Sequence, residues 1–226
     1  YCRKKNNTPL SQQLEERFVL YFMMKNNAIS HTIPNFEMVL NQGLTKTVKD
    51  AGEKAGQADT AEAMDFYESL RIALEGVLAY ANNLSDEAMR LAGKTNDDPQ
   101  RADELKEIAR ICRKVPANPA KTVHEAVMSI WIAFTCLHLE NANSALSIGR
   151  LDRLLQPYFA DDMSQAETKE NRKKVVKKTI ELVGNLFIRF NDHDPLIPNV
   201  GNKLFGGSSS DDTVTVGGVD RNGDNA

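Results

Sequence analysis

The sequence predicts a mainly α-helical chain with a loop-and-strand tail, and three observations carry that prediction. Apolar residues recur at three- and four-residue spacing through most of residues 1–192, the period of helices with one buried face. Pro34, Pro99, Pro116 and Pro119 stand where that pattern starts or stops, as expected of a residue that suits a first helical turn and breaks an interior one. After Asp192 come Pro195, Pro198, Gly201, Gly206-Gly207 and Ser208-Ser209-Ser210, and then a short alternating run at 213–216. That is the grammar of loops followed by a strand.

Taken in order, residues 10–24 carry Leu14, Phe18, Tyr21 and Phe22 on one helical stripe, with Ser11 as the expected cap. Pro34 opens a second helix through Phe36, Val39, Leu40, Leu44 and Val48, closed by Gly52 and Gly56. Residues 59–92 lack proline and repeat apolar positions from Ala63 to Leu91. They read as one long helix, with Gly76 and Asn82-Asn83 the places where it could break. Asp97-Asp98-Pro99 starts a helix running to Arg113. Residues 121–140 are apolar on nearly every face (Val123, Val127, Ile130, Trp131, Phe134, Leu137), which marks the central buried element. A short amphipathic helix is expected over 148–159 and a long one over 166–190, basic in its first half and apolar in its second.

Composition excludes several classes of partner. The 226 residues are 41% hydrophobic and 26% charged, enough for one sizeable core or two small ones. Lys+Arg of 28 against Asp+Glu of 31 leaves no basic excess for nucleic acid or an anionic membrane. The apolar run at 127–139 is interrupted by Ser129 and Thr135 and is too short to span a bilayer. Cys2, Cys112 and Cys136 are odd in number and widely spaced, neither a disulfide framework nor a zinc pattern, and fit a reducing cytoplasm. The chain opens at Tyr1 without Met and stops at Ala226 inside a Gly/Asp turn, so an internal piece of a longer protein is expected.

Some motifs fail on context. Residues 88–95, AMRLAGKT, match a loose phosphate-loop pattern but fall at a helix C-terminus, where the dipole repels anions. Asp220, Asn222 and Asp224 imitate half a calcium loop, yet Asn225 stands where the glycine is needed. His124 and His138 share a helix face about four turns apart, too far to chelate one metal, and read as hydrogen-bonded core or rim histidines.

Four segments in order resemble the pyruvate formate-lyase-type region of glycyl radical enzymes. His31-Thr32-Ile33-Pro34-Asn35-Phe36 with Gly43-Leu44 is similar to the family's His-x-x-Pro-Asp-Tyr run into a helix. Ile111-Cys112-Arg113, Val115-Pro116-Ala117-Asn118-Pro119, His124-Glu125-Ala126 and Trp131 resemble its cysteine, Val-Pro, Pro and His-Glu-Ala succession. Glu140-Asn141-Ala142-Asn143-Ser144-Ala145-Leu146-Ser147-Ile148-Gly149-Arg150-Leu151-Asp152 looks like its Glu-Asn-Asn-Gly-x-x-x-Ser-Phe-Gly-Arg-Phe-Asp stretch. Thr213-Val214-Thr215-Val216-Gly217-Gly218-Val219-Asp220 resembles the Thr-x-Gly-Gly-x-Asp turn ahead of the active-site cysteine loop.

What the resemblance implies is one partial domain over 1–226, helical over 1–192 and loop and strand over 193–226, belonging to an α/β ten-stranded barrel with the chemistry inside. It implies a glycyl radical and a pocket cysteine whose thiyl radical attacks a small oxygenated substrate. Neither residue has a counterpart here, and both are expected after Ala226. No catalytic residue and no metal ligand is assigned within the chain; His31, Asn143, Ser144, Ala145 and Ser147 are the substrate-pocket candidates, with His31 alternatively a helix cap. Ser144 stands where diol-dehydrating members carry a histidine, which points away from that subclass and toward the small residues of the formate-lyase members. Arg150 and Asp152 are expected to fix the turn at a helix start. Implied partners are an iron-sulfur, S-adenosylmethionine-dependent activating enzyme, the remainder of the chain itself and a second copy in a homodimer. The alternative reading is a non-catalytic helical interaction protein that docks through the apolar face of 121–140.

Overall fold

The computed structural model of the chain describes residues 8–17, 32–95, 97–140, 146–190, 213–219 and 223. Among them the elements run α1 Pro9–Glu16, α2 Phe36–Gln42, α3 Leu44–Gly56, α4 Ala61–Ala92, α5 Pro99–Lys114, α6 Val123–Glu140, β1 Ser147–Arg150, α7 Leu151–Gln165, α8 Lys169–Phe190 and β2 Thr213–Thr215. The mainly helical class expected from the periodicity stands.

Helix starts follow their caps. The Thr60 hydroxyl accepts from the Ala63 amide at 3.1 Å and opens α4, while the Asp98 carboxylate accepts from Arg101 at 3.0 Å with Pro99 in the first turn of α5. Each such cap contributes about 1 kcal/mol. Helix α4 continues for 32 residues through Gly76 and Asn82-Asn83 without a break. Two neighbours hold it: Lys54 of α3 sits over the Tyr67 ring at 5.6 Å, and the buried Ser85 hydroxyl donates to the Ala109 carbonyl of α5 at 2.8 Å.

Helix α6 is the centre. Val123, Ala126, Val127, Ile130 and Phe134 join Phe36 and Leu40 of α2, Leu151 and Leu155 of α7, and Leu186 and Phe190 of α8 in one cluster. Most of the apolar surface that a docking protein would use is therefore enclosed by the chain's own helices, with Leu137 and Leu139 near the end of α6 left exposed. A smaller cluster of Ala81, Cys112 and Ile132, with Tyr80 and Cys136 against it, joins α4 and α5 to the other side of α6.

Four local expectations need correction. The helix begun near Pro34 is two helices, because Gly43 at φ +72° turns the chain between α2 and α3. Strand β1 occupies Ser147–Arg150, inside the region expected to be helical throughout, and the helix after it, α7, runs past Phe159 to Gln165 with Pro157 inside it. Helix α1 starts at Pro9, so Ser11 stands inside the helix and not at the position before it; residues 18–24 of the expected helix lie outside the described residues. Asn35 caps α2, its side chain accepting from the Met38 amide at 3.0 Å, which is the capping role considered for His31.

Gly43 shows why the break falls there. A Cβ on it would lie 2.5 Å from the Ala117 carbonyl oxygen. The loop after α5 crosses this point and offers its carbonyls to the start of α3, Pro116 to the Leu44 amide at 2.8 Å and Ala117 to the Thr45 amide at 3.1 Å. Helix α3 has no side-chain cap, and these backbone acceptors satisfy two of its free N–H groups instead.

Candidate functional site

The two strands form a parallel pair, with Ser147 opposite Thr213, Gly149 opposite Val214 and Arg150 opposite Thr215. Thr32 bridges Leu146 on the other side, its carbonyl accepting from the Ser147 amide at 3.0 Å. Two residues of β1 are passed for one of β2 between Ser147 and Gly149. Gly149 at φ +80° supplies the left-handed backbone of this bulge, a feature that re-aims side chains at barrel rims and beside active sites.

One face of this small sheet packs on the core, while on the other, among the described residues, Thr213 and Thr215 are exposed and Ser147 is half-buried. Leu146 and Ile148 are 2% and 1% exposed and belong to the α6-centred core, against which Val214 also packs. Ser147, between the two buried residues, takes the opposite face of the pleat, and its register partner Thr213 is exposed, as is Thr215. Of the sequence-based pocket candidates, Ser147 is thus on the face away from the core. His31, Asn143, Ser144 and Ala145 lie outside the described residues.

At the end of β1 sits a charged clamp. Arg150 donates from Nε and Nη2 to the two oxygens of Asp152 at 2.9 and 2.8 Å. The same pair reaches the turn after β2: the Gly217 amide donates to Asp152 Oδ2 at 2.9 Å, and Arg150 Nη1 to the Val219 carbonyl at 3.3 Å. The Arg150 guanidinium, with the Gly217 amide adding to it, holds the Asp152 carboxyl well below the usual carboxylate range against a smaller effect of burial. Arg150 and Asp152 do fix the start of α7 as the sequence indicated; their reach to residues 217–219 was not legible.

Two hollows flank these elements. One of about 410 Å³ lies between α2, β1 and α7, where the Tyr158 hydroxyl donates to Asn41 Oδ1 at 3.1 Å beside Ile148 and Arg153. The other, of about 250 Å³, is lined by Glu107, Arg110, His124, Asp162 and Lys178. There His124 Nδ1 is buried without a hydrogen-bond partner among the described residues, contrary to the hydrogen-bonded histidine expected. Burial, aided by Lys178, pushes the His124 pKa down. The His138 ring packs tilted against Phe134, with ring centroids 4.4 Å apart and planes at 54°.

Cys112 and Cys136 do not face the sheet surface that carries Ser147. Both belong to the α4–α5–α6 cluster, and burial pushes each thiol up to about 11. No group of three His, Cys, Asp or Glu able to hold a metal ion occurs among the described residues, and no helix among them is long and apolar enough to cross a membrane.

Sequence reasoning missed Lys114, Asp162 and the role of Glu125. The Glu125 carboxylate, on a residue 2% exposed, accepts from Lys114 at 2.5 Å and from the Lys121 amide at 2.8 Å. Asp162 of α7 accepts from the first amide of α6, Val123, at 3.0 Å. The signal that could have found Glu125 is the Thr122-x-x-Glu125 spacing of a capping box, since the Thr122 hydroxyl does accept from the Glu125 amide.

This arrangement is one that known proteins share. The family model described as pyruvate formate lyase-like matches residues 3–226. The chain is 30% identical over 194 residues to indoleacetate decarboxylase of Tractidigestivibacter scatoligenes, covering 83% of this chain and 21% of that protein. It is 27% identical over 215 residues to isethionate sulfite-lyase of Nitratidesulfovibrio vulgaris, covering 92% and 25%. A crystal structure of a glycyl radical enzyme from Archaeoglobus fulgidus superposes with a TM-score of 0.79 at 26% identity, over 100% of this chain and 31% of that one. The chain belongs to the pyruvate formate lyase-like family, whose matched members are glycyl radical enzymes. It spans about a quarter of the length of the curated relatives it matches.

Proposed function

We propose that this chain is the outer helical layer and part of the chamber wall of a glycyl radical lyase or acyltransferase, with pyruvate formate-lyase (formate acetyltransferase) chemistry one of the subclasses that reading covers. The reaction is a thiyl-radical attack on a small oxygenated substrate. The carrying observation is the parallel β1–β2 pair, closed on one face by the α6 core and, among the described residues, exposed on the other at Thr213 and Thr215, in a fold shared with glycyl radical enzymes. Parallel strands are ordinarily covered on both faces. An exposed face fits a chamber that the rest of a barrel completes.

A thiyl radical removes hydrogen from any weak C–H bond within reach, so such a chamber must be dry, stiff and shaped around one substrate bond. A core-backed pair of strands with a bulge beside Ser147 supplies stiffness. Ser147, together with His31, Asn143, Ser144 and Ala145, is assigned to the substrate wall. The reacting cysteine and the radical glycine are assigned to further parts of the protein, because Cys112 and Cys136 lie in the helical cluster. The glycyl radical, a backbone glycine that has lost one hydrogen atom, would take the hydrogen atom of the cysteine S–H and leave the thiyl; its installation is assigned to an iron-sulfur, S-adenosylmethionine-dependent enzyme. The whole protein is read as a cytoplasmic homodimer in anaerobic metabolism.

The test is anaerobic activation of the full-length protein, recording the electron spin resonance doublet of a glycyl radical and the turnover of pyruvate with coenzyme A, isethionate, propane-1,2-diol and an arylacetate. A doublet with turnover of one of these supports the reading. A properly activated sample without a doublet overturns it.

A further inference from the structure

The clamp at the end of β1 does more than start a helix. Asp152 collects two hydrogen bonds from Arg150 and one from the Gly217 amide, and Arg150 donates from its third nitrogen, Nη1, to the Val219 carbonyl. Both side chains are only about a quarter exposed, 24% and 28%. The turn they grip is itself unusual: Gly217 and Gly218 are consecutive left-handed residues, at φ +76° and +98°, a backbone that L side chains avoid. A Cβ on Gly218 would lie 3.3 Å from Arg150 Nη1. Glycine at 218 therefore admits the guanidinium, and the guanidinium fixes the turn. The β1–β2 register ends at Arg150 and Thr215, and beyond β2 the hydrogen bonds of this pair act together with the β-bridge at Val219 in holding the chain's direction.

We propose that Arg150 and Asp152 are positioning residues for the turn that leaves β2, holding residues 217–219 against the end of the strand pair to which Ser147 of the assigned substrate wall belongs. This rests on the reading of the chain as a chamber wall. Neither residue touches the reacting atoms; both act by fixing the turn at 217–219. An angular error in that turn propagates along the chain, and displacement of a reacting group by about 1 Å costs on the order of 100-fold in rate.

The test uses the full-length protein activated anaerobically, comparing wild type with Asp152→Asn, Asp152→Ala and Arg150→Lys. Asp152→Asn keeps an acceptor for Gly217 but loses the charge, so the expected order of turnover is wild type, then Asn, then Ala, with Ala down by about 100-fold. The glycyl radical doublet per chain of Asp152→Asn stays near wild type at the assay temperature even though its thermal midpoint is lowered by the loss of the charged pair, and amide exchange quickens at residues 216–219 with α6 unchanged. Turnover of Asp152→Ala equal to wild type overturns the proposal, as does a loss in which radical yield and turnover fall in proportion in Asp152→Asn and Arg150→Lys alike. Absence of the doublet in wild type overturns the underlying reading and this proposal with it; a doublet and turnover in wild type with unaffected variants overturns this proposal alone.

Discussion

Lys114 and Glu125 form a nearly enclosed ion pair, 2.5 Å from ammonium to carboxylate, between the last turn of α5 and the first turn of α6. The carboxylate side chain is 3% exposed and also receives the Lys121 amide, with Arg110 at 3.6 Å. One acidic residue thus ties both ends of the 115–122 loop, the loop whose carbonyls start α3. Because the Lys114 side chain keeps 29% exposure, water compensates part of its loss when the partner is removed. Glu125→Ala is expected to lower the unfolding free energy by about 2 kcal/mol, the cost of an unsatisfied charged donor near the surface. Urea denaturation checks this, and a change below roughly 0.5 kcal/mol would remove the pair from any role in the loop.

Gly43 gives a second expectation from the same loop. Its φ of +72° disfavours a side chain, and the atom in the way is the backbone oxygen of Ala117, which cannot swing aside. Gly43→Ala is expected to cost about 3 kcal/mol, lowering the thermal midpoint by roughly 6–12 °C for a chain of this size. Gly76→Ala is the control: a Cβ there would meet nothing within 4 Å and the site is mid-helix, so it should raise stability by about 0.5–1 kcal/mol. A calorimetric scan showing the two variants alike would contradict the geometry at Gly43.

What the sequence reveals here is what is local. Thr60 and Asp98 announce their helices because a cap and its amide are three residues apart, and the 121–140 helix is legible as central because apolar residues on all faces need burial on all sides. Gly43 reads as an ordinary helical glycine, since its obstruction comes from Ala117, far along the chain. Ser147–Arg150 has too short and too irregular a pattern for a strand. It becomes one only through Thr32 and residues 213–215. Likewise Arg150 and Asp152 are visible as a turn pair, whereas their hold on Gly217 and Val219 depends on strand pairing.

Acid titration should expose Asp152. Its folded pKa is depressed, chiefly by the Arg150 hydrogen bonds, so the native state releases this proton more readily than the unfolded chain does. The associated stability is fully present above the unfolded value, near 3.9, and is lost as pH falls from there through the lower folded value. Asp152→Asn lacks that group, so the gap between wild type and variant should be constant from pH 7 to about pH 5 and narrow below about pH 4. Urea midpoints at successive pH values measure the gap. A gap that widens on acidification would reverse the sign and refute the assignment.

The thiols of Cys112 and Cys136 offer a test of the smaller core. Burial pushes both up to about 11, with no opposing charge to favour the thiolate. At pH 8 the thiolate fraction of such a group is roughly 100-fold below that of an unperturbed cysteine with a pKa near 8.5. Iodoacetamide should therefore label the 112 and 136 peptides of the native protein at least that much more slowly than the same peptides in urea, and steric cover over Cys112, which is 3% exposed, slows it further. Opening the cluster from its other side, by Ile132→Ala, should cost about 2–4 kcal/mol and raise the labelling of both cysteines together, because Ile132 belongs with Cys112 to the cluster that Cys136 packs against. Labelling of either native thiol at the rate of the unfolded peptide would show that the α4–α5–α6 contact does not enclose them.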